Sequence, residues 1–478
     1  MPSLRRNIVY QFLYELLIVF IPLFTIPYVS RVLGAENIGL FSYTYAVANY
    51  FVLLANLGIK NYGSRTIAMV RNNKEELNRN FSEILSIHII FSIIVIFVYL
   101  VLLFFFVEDN LVIFLIQSIY VFAAVFDINW FFFGIEKFKL TVGRNTLVKI
   151  LSVFLVLVFV KTQTDLWIYA LILALSVFVG QSVVWFALKQ YVSWRRPSWA
   201  NMKQHIRPLF VLFLPILALS LYKYMDKIML GSISSNVQVG FYENAEKIIN
   251  VPMSLIMAFG VVLMPRIANM VTSKDKGEVF KLIDMSMEAV MLLAIAISFG
   301  LAGISFVLAP IFFGYEFEEC GILIMGLAVT VPFMAFANVI RTQYLIPYKE
   351  DKIFVVSLFL GAAVNLIVNI ILIPYMAARG AVIGTIFAEI IVCIYQSYFV
   401  RKKIFIKKYL LNTIPPILIG IVMFVFVFQI GNVMNINIVT LILQLLVGMF
   451  IYAVGVFLLM LKSRTRLMVL LRKFVVRY

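Results

Sequence analysis

The sequence predicts an all-α, polytopic membrane protein with about 14 transmembrane helices. Hydrophobic residues make up 63% of the 478 residues and charged residues 13%, whereas a soluble domain is about 45–50% apolar and about 25% charged. Apolar runs of membrane-spanning length follow one another along the chain, and lysines and arginines collect between them. Composition, run length and charge distribution therefore all predict helices that cross a bilayer.

Fourteen apolar runs approach the roughly 20 residues that a helix needs to cross the hydrocarbon core. They lie at about 8–29, 38–58, 84–107, 110–133, 147–161, 166–188, 208–231, 240–263, 289–313, 322–346, 353–374, 380–400, 410–430 and 437–461. The connecting loops are short, so we expect no soluble domain outside the membrane. The first run contains Glu15, Pro22 and Pro27 and lacks a small-residue cleavage pattern, which favours a span over a cleaved signal peptide.

The positive charges predict one orientation. If the N-terminus lies on the cytoplasmic (inside) face, 34 of the 40 lysines and arginines fall on cytoplasmic segments and three fall on outer segments. The other three, Lys223, Lys227 and Lys247, lie within predicted spans. This split predicts an even number of spans with both termini cytoplasmic. It also accounts for the net charge of +17 without nucleic acid, because the basic residues mark one membrane face. The tail, residues 463–478, alternates arginines with apolar residues and is interpreted as an interfacial helix on anionic lipid.

A weak internal repeat predicts two lobes. A shift of 201 residues superimposes three identical pairs, namely Gly39 on Gly240, Asn49 on Asn250 and Arg65 on Arg266. Spans two and eight, which contain these residues, both run from outside to inside, as in transporters built from parallel six-span repeats. The predicted organisation is an N-lobe at 1–205, a C-lobe at 206–408, and spans 13 and 14 with the basic tail at 409–478.

The most unusual stretch is Leu221–Asn250, two helices joined by a short turn at 232–239. It contains six ionisable groups within predicted spans, namely Lys223, Asp226, Lys227, Glu243, Glu246 and Lys247. A charge at the centre of a span costs roughly 2.5–3.5 kcal/mol on insertion scales. Two interpretations stay open: the charges line a polar cavity for an anionic substrate, or they pair with one another and stabilise helix packing.

Short motifs in both halves resemble a known family. The first half contains PYVSRVLG at 27–34, GLF at 39–41, LG at 57–58 and GSR at 63–65; the second contains DKIMLG at 226–231, VGFY at 239–242 and MPR at 264–266. On these residues the chain resembles the polysaccharide-transport, Wzx-like flippases of the MOP exporter superfamily, which also includes lipid II flippases and MATE drug exporters. The resemblance implies two six-helix lobes around a central cavity. It also implies export of an undecaprenyl-diphosphate-linked oligosaccharide across the bacterial cytoplasmic membrane by alternating access.

The resemblance and the buried charges together predict a substrate site. The expected diphosphate ligands are Arg31, Lys223, Lys227 and Lys247, because guanidinium and ammonium groups bind phosphate without covalent chemistry. Asp226 and Glu243 are expected to balance these charges in the empty cavity. Weaker candidates for ion coupling are the carboxylates of Glu15 and Asp127, since desolvation favours a protonated carboxyl; a structural role with satisfied hydrogen bonds is the alternative for both. Weaker candidates for glycan contact are the amides of Asn49, Asn250, Asn365 and Asn369. Hydrogen bonds between helices explain these amides equally well, and Gly380 with Gly384 is typical of close helix packing.

Other functions are weighed against this one. The sequence contains no catalytic triad pattern, phosphate-binding loop or metal-ligand cluster, so we expect no enzyme activity, cofactor or metal. The expected partners are the lipid-linked glycan, membrane lipids, H⁺ or Na⁺ as coupling ion, and a glycan polymerase with its chain-length proteins. The alternatives are a MATE-type exporter, whose cationic cargo three lysines would repel; a membrane glycan polymerase, which tends to need a large outer loop; and a scaffold for glycan assembly.

Overall fold

The computed structural model describes the backbone of residues 2–272 and 276–462, and the side chains of 24–137, 140–221, 223–271 and 277–461. All regular structure in these ranges is helical, in sixteen α-helices with short 3₁₀ segments at Gln163–Asp165 and Tyr315–Phe317 and a π-helical segment at Arg341–Leu345. They are α1 (Pro2–Asn56), α2 (Ile59–Val70), α3 (Lys74–Phe106), α4 (Leu111–Val125), α5 (Asn129–Gly134), α6 (Phe138–Phe159), α7 (Leu166–Leu188), α8 (Trp199–Ile233), α9 (Asn236–Thr272), α10 (Lys276–Phe313), α11 (Cys320–Ala328), α12 (Thr330–Ile340), α13 (Asp351–Met376), α14 (Ala378–Val400), α15 (Ile406–Val433) and α16 (Ile438–Lys462).

The prediction of a multi-pass, all-α membrane protein is confirmed. Within the described residues, 13 helical segments are long and apolar enough to cross a bilayer. The predicted spans one and two lie in α1, of which only the part from Phe24 enters that count. The interfacial helix predicted at 463–478 lies outside the described residues.

Gly34 separates the two predicted spans of α1. Its backbone has φ 77° and ψ 173°, which interrupts the helix and which a residue with a Cβ adopts only with strain. Asn37 stabilises the interruption, because its amide Nδ2 donates to the carbonyl oxygens of Leu33 at 2.9 Å and of Gln163 at 3.0 Å. The glycine of the PYVSRVLG motif is therefore required by backbone geometry.

The chain divides into two compact units, Met1–Gly231 and Ser232–Tyr478. In the first unit, α2, α3, α5 and the start of α8 enclose an apolar core that includes Ile67, Phe81, Trp130 and Phe131. Gly63 lies directly against the Trp130 ring, where a Cβ would approach to 2.5 Å. The glycine of the GSR motif thus allows α2 to lie against α5.

In the second unit, α13 packs closely on α14. A Cβ at Gly380 would lie 2.7 Å from the Leu372 carbonyl, and one at Gly384 would lie 2.1 Å from Asn369 Oδ1. The interpretation of these glycines as a close-packing motif is confirmed. At the other side of this unit, Lys408 on α15 forms an ion pair of 2.8 Å with Asp284 on α10, and this pair joins two helices that enclose the groove described below.

Candidate functional site

The predicted cations on α8 have opposite environments. Lys223 is exposed, with its Nζ 5.4 Å from the centroid of the Tyr224 ring. Lys227, one turn further on, is only 6% exposed, and Asp226 is 3% exposed. Each of the two buried groups takes part in a polar or electrostatic interaction. Of these lysines, Lys223 therefore offers the accessible charge and Lys227 belongs to the interior.

The second segment of α1 packs against this part of α8 within the first unit. The Tyr50 hydroxyl lies 3.3 Å and 3.4 Å from the carbonyl oxygens of Ser220 and Leu221, and its ring lies edge-on to Tyr224. At Gly231 an added Cβ would come within 2.4 Å of the Tyr43 ring. Aromatic side chains thus hold α8 in place around Lys223. Arg31, on the first segment of α1, is exposed.

Glu243 and Lys247 form an ion pair on α9, in the second unit. Lys247 Nζ lies 3.1 Å from Glu243 Oε1, and the two side chains are 31% and 16% exposed. The ammonium also donates to Asn244 Oδ1 at 3.4 Å. Asn250 is exposed one turn beyond Lys247, so these two side chains share an accessible helix face. The expected pairing of Glu243 with Lys247 is present, and its role in substrate exchange remains a prediction.

The remaining amide candidates make intramolecular hydrogen bonds. Asn49 donates from Nδ2 to the Tyr45 carbonyl at 2.9 Å. Asn365 and Asn369 are 1% and 0% exposed, and Asn369 Nδ2 donates to Asn365 Oδ1 at 3.2 Å. They lie at Gly384, where α13 and α14 meet. This geometry supports helix packing for the pair, and their glycan contact remains a prediction.

Asp127 lies in a break between α4 and α5. Its Oδ1 accepts hydrogen bonds from the backbone N of Asn129 at 3.0 Å and from Asn129 Nδ2 at 2.7 Å. Asn129 in turn donates to Gln181 Oε1 at 2.8 Å and accepts from Arg144 Nη2 at 3.1 Å. The carboxylate is therefore linked through one amide to a guanidinium. Sequence reasoning missed Arg144 because it counted this residue only as a loop charge. The Glu15 side chain lies outside the described residues.

A large apolar groove runs between α10, α15 and α16. Its volume is about 940 Å³, and its lining is almost entirely leucine, isoleucine, valine, alanine, glycine and methionine. The two polar lining residues turn their donors to the backbone: Gln444 Nε2 donates to the Val427 carbonyl at 2.8 Å, and the Tyr452 hydroxyl to that of Leu292 at 2.7 Å. Sequence reasoning placed spans 13 and 14 outside the lobes and did not predict this groove. Small residues in spans 9 and 14, among them Gly300 and Gly448, were the available signal.

Comparison with known proteins decides the family. The family model described as polysaccharide biosynthesis protein matches residues 4–271, more than half of the chain. The chain belongs to this family. It is 24% identical over 408 residues to a "Putative O-antigen transporter" of Shigella dysenteriae, covering 82% of this chain and 99% of that one. A protein of the same description from Escherichia coli strain K12 is 26% identical, over 84% of this chain and 97% of the other.

Solved structures show that this family member shares its fold with transporters. A structure of the lipid II flippase MurJ in an inward closed conformation aligns with a TM-score of 0.72 at 16% identity, covering 94% of this chain and 97% of the other. An inward-facing MATE multidrug transporter of the MOP superfamily aligns with a TM-score of 0.61 at 14% identity, covering 82% of this chain and 97% of that one. The family match and the O-antigen transporter relatives confirm the resemblance to Wzx-like proteins, and the solved structures confirm the fold class.

Proposed function

We propose that this protein is a flippase for undecaprenyl-diphosphate-linked oligosaccharide. It moves the lipid-linked glycan from the inner to the outer leaflet of the bacterial cytoplasmic membrane by alternating access, for assembly of a capsule, O-antigen or teichoic acid. The observation that carries this proposal is the apolar groove between α10, α15 and α16, because a long hydrocarbon chain is the ligand that such a lining accommodates. The transporter relatives support the same class of function.

The substrate's two chemical parts match two kinds of surface. Among the described residues, no charged side chain lines the groove, and the donors of its two polar side chains are bonded to backbone carbonyls. This apolar surface suits the polyprenyl tail. The diphosphate needs cations, and Arg31 and Lys223 in the first unit and Lys247 in the second retain exposure. Charge-assisted hydrogen bonds from these groups would hold phosphate oxygens without a covalent step.

Exchange of ion-pair partners explains how binding stays reversible. In the absence of substrate, Lys247 is neutralised by Glu243 at 3.1 Å. An arriving phosphate competes with this carboxylate for the same ammonium group, so one charge-assisted hydrogen bond replaces another. The carboxylate recovers the lysine when the substrate leaves. We assign Asp226 the same balancing role on α8.

Transport against a gradient needs a coupled ion, and we assign this role to a proton or Na⁺ at Asp127 or Glu15. Asp127 is suited to it because a single amide, Asn129, joins its carboxylate to the Arg144 guanidinium. A change of charge at Asp127 would thus reach α6 and α7 through hydrogen bonds. Both termini and the loops at 60–83, 189–207 and 266–288 are assigned to the cytoplasm on the distribution of lysine and arginine.

The groove gives the sharpest test of this function. At Gly300 an added Cβ would contact only Met423, at 3.8 Å, so Gly300→Leu inserts a side chain into the groove without a backbone clash. The matched control is Ala363→Leu, which adds a similar volume at an exposed position of α13 outside the groove. The purified variants are placed in proteoliposomes that contain lipid-linked oligosaccharide, and translocation is followed by cleavage with an impermeant glycosidase.

We expect Gly300→Leu to slow the appearance of cleavable glycan at least tenfold, with Ala363→Leu close to the parent protein. Translocation of a short-tailed analogue should be less affected by Gly300→Leu, since a shorter chain needs less of the groove. Equal rates for both variants and the parent would exclude a role for the groove. Absence of translocation by the parent protein, with its coupling gradient imposed, would count against flippase activity itself.

A further inference from the structure

A second pocket lies in the first unit, at the face predicted to be cytoplasmic. It has a volume of about 650 Å³ and is enclosed by α2, the first turns of α3 and the first half of α8. Its basic lining residues are Arg65 and Arg79, and its acidic one is Glu76. Within the described residues, neither guanidinium has a hydrogen bond or an ion pair. The two arginines are therefore available for an anion from outside the protein.

The wall of the pocket contains a relay of three hydrogen-bonded side chains, of which two are buried and Tyr62 is partly exposed. His205 on α8 is 3% exposed; its Nε2 lies 2.9 Å from Glu83 Oε2 and its Nδ1 lies 2.6 Å from the Tyr62 hydroxyl. Tyr62 and His205 also line the pocket. A buried carboxylate and a buried imidazole are costly unless they are hydrogen-bonded. Glu83 and His205 are bonded to each other, so this part of the pocket is preorganised.

The pocket also has an apolar edge. Met69 and Val211 line it and are 69% and 58% exposed. Its helix α2 buries Ile59, Gly63, Thr66 and Ile67 on one face and exposes Arg65 and Met69, a pattern typical of helices at the membrane interface. Guanidinium groups beside exposed apolar side chains match a phosphate whose hydrocarbon tail remains in the bilayer.

We propose that this pocket binds the phosphate headgroup of a membrane amphiphile, between Arg65 and Arg79. Each guanidinium presents several N–H donors in a planar fork that matches the geometry of phosphate oxygens. Two exposed guanidinium groups can therefore hold one phosphate by charge-assisted hydrogen bonds.

The charges of the lining favour an anion in this pocket. Arg65 and Arg79 outnumber the one lining carboxylate, Glu76. Glu83 from α3 and Tyr62 from α2 hold His205 in the wall beside them. The site does not depend on translocation, and its occupancy is measured at equilibrium.

Binding to the purified full-length protein in detergent tests the site with two probes, short-chain phosphatidic acid and inorganic pyrophosphate. Native mass spectrometry gives the lipid occupancy, and titration calorimetry gives the affinity for each probe. The double variant Arg65→Gln/Arg79→Gln removes two exposed charges from the pocket. The matched control Lys74→Gln/Lys203→Gln removes two exposed charges from the same face outside the pocket lining.

We expect at least a tenfold loss of phosphatidic acid affinity in the arginine variant and at most a twofold loss in the lysine control. Equal losses in the two variants would show that binding depends on general charge attraction and would refute a specific site at Arg65 and Arg79. If the parent protein binds pyrophosphate but not phosphatidic acid, the ligand is not an amphiphile.

Discussion

The lysines of α8 allow a prediction that separates binding from stability. Lys223 is exposed, whereas Lys227 is 6% exposed and takes part in a polar or electrostatic interaction. Lys227→Gln removes a buried charge and leaves its partner uncompensated, which costs about 1–3 kcal/mol of folding free energy. Lys223→Gln changes an exposed group and should alter folding free energy by no more than about 0.5 kcal/mol. Lys223→Gln should therefore impair export in a stable protein, and Lys227→Gln should lower stability.

Two measurements are needed for each variant. Thermal unfolding of the detergent-solubilised protein reports stability, and restoration of surface glycan in a strain dependent on this flippase reports export, both at matched membrane abundance. Lys223→Arg retains the charge and should export better than Lys223→Gln. Lys247→Gln should resemble Lys223→Gln, because Lys247 is 31% exposed and loses an ion pair with Glu243 and a hydrogen bond to Asn244, both within α9.

A double-mutant cycle tests the balancing role of Asp226. If Asp226 and Lys227 compensate each other, Asp226→Asn/Lys227→Gln should be less destabilised than the sum of the single variants, by about 0.5–3 kcal/mol for interacting groups. Full export by Lys223→Gln, Lys227→Gln and Lys247→Gln would refute the cationic binding site and leave these charges a structural role. An unchanged unfolding temperature for Lys227→Gln would refute the argument from burial.

Two further predictions concern topology and coupling. With the native cysteines replaced, cysteines introduced at Ser198 and Asn432 should react oppositely with an impermeant thiol reagent, because the charge distribution places these residues on opposite membrane faces; equal labelling of both would contradict the topology. Asp127→Asn and Glu15→Gln should slow transport driven by a proton or Na⁺ gradient while the protein still folds, since both substitutions remove an ionisable carboxyl and retain its shape. Parental rates for both variants across pH and Na⁺ gradients would place ion coupling elsewhere.

The chain's class, spans and expected orientation follow from its amino acids alone. A helix must satisfy its own backbone groups in hydrocarbon, so apolar runs of sufficient length predict spans without knowledge of their neighbours. The motif glycines could also be identified as special from sequence. The structure was needed to explain why each position requires glycine. Gly34 has a positive φ, Gly63 lies against the Trp130 ring, and Gly231 lies against the Tyr43 ring.

The burial and the hydrogen-bond partners of each polar group could be determined only from the tertiary structure. Helical spacing placed Lys223 and Lys227 on one face, yet one is exposed and the other buried, because burial depends on which neighbouring helices cover each turn. Asp127 looked isolated in its span, and the structure joins it through Asn129 to Arg144. Periodicity along one helix contains no information about partners on another.

What the sequence by itself determined is therefore the membrane class, the approximate spans and the family resemblance. Only the tertiary structure decided the groove between α10, α15 and α16 and the relay of Tyr62, Glu83 and His205. The groove arises because small residues leave space where α10 meets α15 and α16, two helices about a hundred residues further along the chain. The relay arises because α2, α3 and α8 pack together over separations of more than 100 residues between His205 and each of its partners. Local sequence fixes how each helix forms, and the packing of many helices fixes which side chains meet.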